Sequence, residues 1–228
     1  MTRLLAEATT AEAVGSRLVL VPVGSLEQHG PHLPLDTDTE VAVAVASGVA
    51  ERLSDAGAEA WVAPPISYGA SGEHQSFAGT SSIGTESLRL LLVELVRSVR
   101  SWAERVVLVN GHGGNLDALR SAVGQLVAEG HDVCWAACTT ESVDLHAGRT
   151  ETSLMLHLRP RSVRLDLVVA GDTRPLAEIL PHLKAGGVAS VSANGVLGGP
   201  SDASASEGAA VLAAMVDHVL ATTMAGIR

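Results

Sequence analysis

Two uninterrupted apolar runs constrain this chain more than any other feature: RLVLVPVGS (17–25) and RVVLVN (105–110). Runs of this length, rich in Val and Leu, read as buried strands. Each leads at once into a loop crowded with polar groups, GSLEQHGPHLPLDTD (24–38) and GHGGN (111–115). Pro31 and Pro34 keep the first loop from continuing as a helix. Shorter strands are expected at 59–66, ended by two prolines, and at 131–138. Helical patterns fall between them: 39–57 with Gly57 as its stop, 86–102 with Thr85 as its cap, 116–130, 149–160 ended by Pro160, and 202–226. Strands that alternate with long helices predict a single α/β domain over residues 1–228 with a mainly parallel sheet. Right-handed crossovers put all strand-end loops on one side of such a sheet, where ligands bind. The two polar loops are therefore expected to meet.

Composition narrows the function. The formal charge of −10 disfavours nucleic acid and anionic membrane as partners. No basic segment followed by an apolar stretch opens the chain, and no charge-free run of about 18 apolar residues occurs. Neither a signal peptide nor a membrane span is expected. Cys134 and Cys138 are too few for a disulfide framework, sit on one face of a strand as core residues, and agree with a cytoplasmic location. Apolar residues make up 46% of the chain but aromatics only 2%, so aliphatic side chains must fill the core.

The loops carry metal-type ligands. Glu27 and His29, two apart on an extended segment, can converge on one ion. Asp38 opens the following helix, where it can cap that helix or bridge two ions. His112 leaves a strand between glycines, and Glu151 lies in HAGRTETS. Together these are three carboxylates and two imidazoles, a mixed donor set suited to zinc, manganese or ferrous iron. One catalytic zinc takes fewer protein ligands; two metals sharing a carboxylate take about this many. Taken singly, Asp36, His32 and His74 read as turn caps or surface charges, and His131, His157, His182 and His218 more so. Glu73 and His74, in SGEHQSFAGT, also suit a pocket lining. The chain contains neither a P-loop, nor GxGxxG, nor the GxSxG elbow of a serine hydrolase.

GSLEQHGPHLPLDTD, GEHQSFAGTSSIG, NGHGGN and HAGRTETS, in this order along nearly the whole chain, resemble the creatininase family of metal-dependent amidohydrolases. The resemblance implies a layered α/β/α fold, a centre of two divalent ions (zinc, iron or manganese) and a homo-oligomer, often a hexamer. It carries metal ligation onto Glu27, His29, Asp38, His112 and Glu151, with Asp38 as the bridge. It carries proton transfer or substrate contact onto His146, beside Glu151. SYGASGEHQSFAGT and the late segment GGVASVSANGVLGGPSDASASEG resemble the branch encoded in mycofactocin gene clusters. That branch releases a C-terminal Val–Tyr dipeptide from a modified precursor peptide. Such a substrate ends in a carboxylate, for which Arg149 is the candidate cation. Gly114 stands where creatininase itself has a glutamate, which turns the expectation away from creatinine. Two other readings compete: hydrolysis of creatinine or a formamide, and a metal-binding assembly protein without turnover.

Overall fold

The computed structural model describes residues 2–140 and 144–225. Its centre is a five-stranded, all-parallel sheet. The strands are β1 (Arg3–Leu4), β2 (Ser16–Val23), β3 (Trp61–Val62), β4 (Ala103–Asn110) and β5 (Val133–Ala137), in the spatial order β1-β3-β2-β4-β5. The chain moves one way from β2 to β3, then jumps back across β2 to form β4 and β5. The reversal lies between β2 and β4, and crevices at such switch points bind ligands.

Alternate residues of β2 and β4 feed two separate cores. Val19, Val21, Val106 and Leu108 face α3 (Thr85–Val99) and α4 (Leu116–Ala128). Leu18, Leu20, Val107 and Val109 face the other way, onto α2 (Thr37–Asp55) and α7 (Ala205–Ala225). Helix α5 (Arg149–Leu158) packs along α7 on that side. Burial on both faces is why these strands read as unbroken apolar runs. Cys134 and Cys138 are free thiols packed against this second core.

Several element ends differ from expectation for local reasons. Thr85 is the first helical residue of α3 and Gly84 is its N-cap, so Thr85 does not cap. That helix ends at Val99, where Ser101 and Trp102 tighten into a turn. The 59–66 strand is cut to two residues, because Pro64 and Pro65 have no N–H to give a ladder; Ile66 then rejoins the sheet as a bridge to Val23. Helix α5 stops at Leu158, and Pro160 begins the next turn. The closing helix begins at Ala205, after a short turn at Pro200–Asp202; its expected end at Gly226 lies outside the described residues. Strand β1, helix α1 (Thr10–Ala13) and helix α6 (Leu176–Gly186) were not expected; Pro181 inside α6 hides it from pattern reading. Helix α7 is long and apolar enough to cross a membrane by length and composition, although Asp217 interrupts the run; it packs through Met215, Val216 and Val219.

The register brings the two loops together. Val23 pairs with Asn110, so β2 and β4 end side by side. Gly111 N–H then donates to Val23 O at 2.8 Å. Asn115 knits the ends further, donating from Nδ2 to Gly24 O (3.0 Å) and accepting at Oδ1 from Ala70 N–H (2.9 Å). Gly111 also passes so near the start of α2 that a Cβ there would stand 2.3 Å from Asp38 O. Gly111→Ala must push β4 off α2, and overpacking of this kind costs about 1–3 kcal/mol. Urea unfolding should show that loss, and unchanged stability would contradict the tight approach.

Candidate metal centre

Four elements deliver the expected ligands to one point. Glu27 and His29 come from the loop after β2, Asp38 from the first turn of α2, His112 from the loop after β4, and Glu151 from the first turn of α5. Glu27 and His29 are fully buried and Asp38 and His112 nearly so, while the Glu151 side chain is partly exposed. The Asp38 carboxylate stands between the histidines: Oδ1 is 3.2 Å from His29 Nε2 and Oδ2 is 3.3 Å from His112 Nδ1. Glu27 Oε2 lies 3.1 Å from His112 Nε2, and Glu151 Oε2 lies 3.7 Å from His29 Nε2. Thus all five sequence-predicted ligands come together.

His146 and His74 join them. His146 Nδ1 is 3.7 Å, and His74 Nε2 3.2 Å, from Glu27 Oε1. The His146 ring also stacks obliquely on His29 and on His74, each at 4.4 Å between centroids. Glu73 reaches in from the open side, with Oε1 3.4 Å from His112 Nε2. Gly114 leaves it room, since a Cβ there would stand 2.5 Å from that oxygen.

The remaining candidates lie as follows. Arg149, the candidate cation, has its Nε paired with Glu207 Oε2 of α7 at 2.8 Å, on an exposed flank. His32 is no surface charge; it is buried and ties the loop to α5 through Thr152 Oγ1 at 2.9 Å. His74 is likewise buried rather than a surface residue. Asp36 is an ordinary ion-pair partner, bound to Arg159 at 2.8 Å. His157, His182 and His218 are exposed and His131 is half-buried, away from the site.

Sequence reasoning missed Ser25, Gln28, Asn110 and Asn115. The Ser25 hydroxyl sits between Glu27 Oε2 and Asp38 Oδ2. Asn110 donates from Nδ2 to His112 O at 2.7 Å. Only their position inside the motifs could have flagged them. Ala147, between His146 and Gly148, holds φ +49, a left-handed conformation that costs a non-glycine residue about 1–2 kcal/mol. Its N–H donates to Glu151 Oε2 at 2.6 Å, fixing that carboxylate. Strain of this kind concentrates at functional sites.

The electrostatics ask for a cation. Burial, reinforced by Asp38, pushes the Glu27 and Glu151 carboxyls up to about 7 against the pull of neighbouring histidines. Burial opposes charge on His29, but Asp38, Glu151 and Glu27 outweigh it and raise its pKa to about 10. His112 is raised in the same way, by Glu27 and Asp38 against burial. Asp38 is held well below the carboxylate range because His29 and His112 overcome its burial. Burial, then His29 and His74, pull the His146 pKa well down, which favours a neutral imidazole. His74 is lowered to about 4 by burial and by His112. Protons thus hold the carboxylates and imidazoles together where a metal would do so better. Glu27 Oε1 and His112 Nε2 are buried with no hydrogen-bond partner. Each such orphan costs about 1–3 kcal/mol. An ion removes that cost, and both Glu27–Asp38–His112 and His29–His146–Glu151 offer ligand atoms within 4.8 Å of one another. The residues fit a metal.

The sequence profile of the creatininase family, described as creatinine amidohydrolase, matches residues 5–223. The chain belongs to the creatininase family. A mycofactocin precursor peptide peptidase of Mycobacterium ulcerans is 58% identical over 203 residues, covering 87% of this chain and 81% of that protein. The protein of the same name from Mycolicibacterium smegmatis is 56% identical over 201 residues, covering 88% and 81%. A creatinine amidohydrolase of Pseudomonas putida is 32% identical, covering 69% and 70%. Among solved structures, a crystal structure of creatininase superposes with a TM-score of 0.78 at 28% identity, covering 97% of this chain and 96% of that one. Related creatininase structures are described as zinc-zinc and manganese forms. The chain is accordingly a metal-dependent hydrolase of amide bonds with the layered α/β fold expected.

Ligation by His29, His112, Glu27 and Glu151 would replace protons on them, which would link metal binding to pH. Binding of zinc at pH 7 should release protons, and apparent affinity should fall about tenfold per proton for each unit of pH lowered. Titration calorimetry in buffers of different ionisation enthalpy reads both. A pH-independent affinity would contradict the ligand set.

Proposed function

We propose that this chain is a peptidase that releases the C-terminal Val–Tyr dipeptide from a modified precursor peptide of the mycofactocin type, using two divalent ions. The site's geometry supports hydrolysis through one observation above others: Asp38 presents separate carboxylate oxygens to His29 and His112, within a set of five metal-type ligands of which four are buried. The choice of peptide rests on the relatives that are 56–58% identical and carry that name. In this reading Glu27, Asp38 and His112 would hold one ion, and His29, Asp38 and Glu151 the other. Zinc, iron or manganese, when bound, supplies an acidified water and a Lewis acid for the scissile carbonyl.

The chain's own residues do the rest. Neutral His146 takes a proton at Nδ1 from the attacking water and passes it to the leaving amine nitrogen. Glu73 and His74 line the approach to that point and contact the peptide. The chain works in the cytoplasm as a single domain over residues 1–228, and as a homo-oligomer, with a hexamer as the family-like number. Neither nucleic acid nor membrane is a partner.

A peptide ending in Val–Tyr, incubated with metal-loaded protein and followed by mass spectrometry, tests this directly. The wild type should release intact Val–Tyr, and Glu27→Ala should reduce turnover at least about a thousandfold, as the loss of several kcal/mol of metal assistance requires. Equal cleavage by Glu27→Ala would overturn the metal mechanism. Failure of the wild type to cleave, with metal bound, would overturn the peptide and leave creatinine or a formamide as the substrate.

A further inference from the structure

The late segment around Asn194–Leu197 grips the site from outside it. Leu197 and His146 form an antiparallel bridge, His146 N–H donating to Leu197 O (3.2 Å) and Leu197 N–H to His146 O (2.8 Å). Two residues earlier, Gly195 holds φ +79 against the Gln28 side chain, where a Cβ would stand 1.9 Å from Gln28 Oε1. One short stretch thus fixes both His146 and Gln28.

The hydrogen bonds of buried Gln28 determine where protons sit. Gly30 N–H can only donate, so the amide atom 2.9 Å away is the carbonyl Oε1. Gln28 Nε2 therefore faces the other way, with Gly195 O at 3.1 Å. That carbonyl can only accept and takes one of the two amide hydrogens. The second goes to His74 Nδ1 at 2.8 Å, which must be bare. Neutral His74 then carries its proton on Nε2. His146 Nε2 lies 2.8 Å from the Gln28 main-chain carbonyl, another pure acceptor, so Nε2 carries the proton of neutral His146. With both amide hydrogens used, the 3.0 Å approach of Gln28 Nε2 to His146 Nε2 is a contact and not a hydrogen bond. His146 Nδ1 is left bare, directed toward Glu27 Oε1.

We propose that Gln28 is a positioning residue that fixes His146 and His74 each in a single tautomer, and that Gly195 holds Gln28 in place. The purpose of this arrangement rests on the peptidase reading above. It leaves His146 Nδ1 ready to accept the proton of the attacking water, whose O–H bond breaks as the N–H bond forms. Gly195 explains part of the late segment that no ligand accounts for.

Long-range proton–nitrogen correlation spectra of the zinc-loaded chain, labelled with 15N-histidine and free of substrate, test the assignment. His74→Asn and His146→Asn identify the resonances. The wild type should show both residues protonated only on Nε2. In Gln28→Met, of similar length but without hydrogen bonds, and in Gly195→Ala, His74 should become a mixture of tautomers. Their dipeptide-release kcat should fall about 10–100-fold, as for other outer-shell partners, with KM changed less than about threefold. A wild-type His146 or His74 protonated on Nδ1 would overturn the proposal without recourse to any variant. So would a Gln28→Met spectrum identical to wild type. Spectra as expected with no peptide cleaved would uphold the positioning role and remove the peptidase reading instead.

Discussion

Burying Glu27, Asp38, His29 and His112 in one pocket, with Glu151 at its partly exposed edge, is the constraint on which the rest of the molecule depends. Ionised groups removed from water are costly unless paired. Here they pair with each other only in part: Glu27 Oε1 and His112 Nε2 find no hydrogen-bond partner. The sheet supplies the rigidity that keeps such groups together. Strands β2 and β4 are buried on both faces and end in register, and Asn110 and Asn115 lock the loops that leave them. Those loops could separate only by breaking bonds in the centre of the fold.

The same arrangement divides the labour among the histidines. His29 donates from Nδ1 to Glu27 O (3.1 Å), which turns its Nε2 toward Asp38 and Glu151. His112 uses both ring nitrogens toward carboxylates. His146 and His74 lie beyond them, neutral through burial and through the positive neighbours they face. The two pairs of rings are thereby kept chemically distinct, one pulled down and the other raised by its carboxylate neighbours. Strain at Ala147 fits this picture, since its unusual conformation aims an N–H at Glu151 directly beside His146.

Much of this was legible in the sequence because it is carried by local signals. The apolar runs at 17–25 and 105–110 announced the central strands, and their abrupt change to glycine, histidine and carboxylate announced the ligands. Glu27, His29 and His112 fall within a few residues of strand ends, where parallel topology leaves few places to go, and Asp38 opens the helix that follows the first of these loops. What was not legible depended on side-chain direction. Arg149 is one residue inside α5, and only the packing of α5 on α7 turns it toward Glu207. His32 and His74 looked like loop polars, yet Thr152 and Gln28, distant in sequence, draw them inside. Helix α6 escaped notice because Pro181 breaks the pattern that would reveal it.

Anomalous diffraction from crystals of the manganese-loaded protein tests the central claim most directly. Two peaks, roughly 3.5–4 Å apart, should lie on either side of the Asp38 carboxylate, one toward Glu27 and His112 and the other toward His29 and Glu151. A single peak, or peaks that do not share Asp38, would contradict the account.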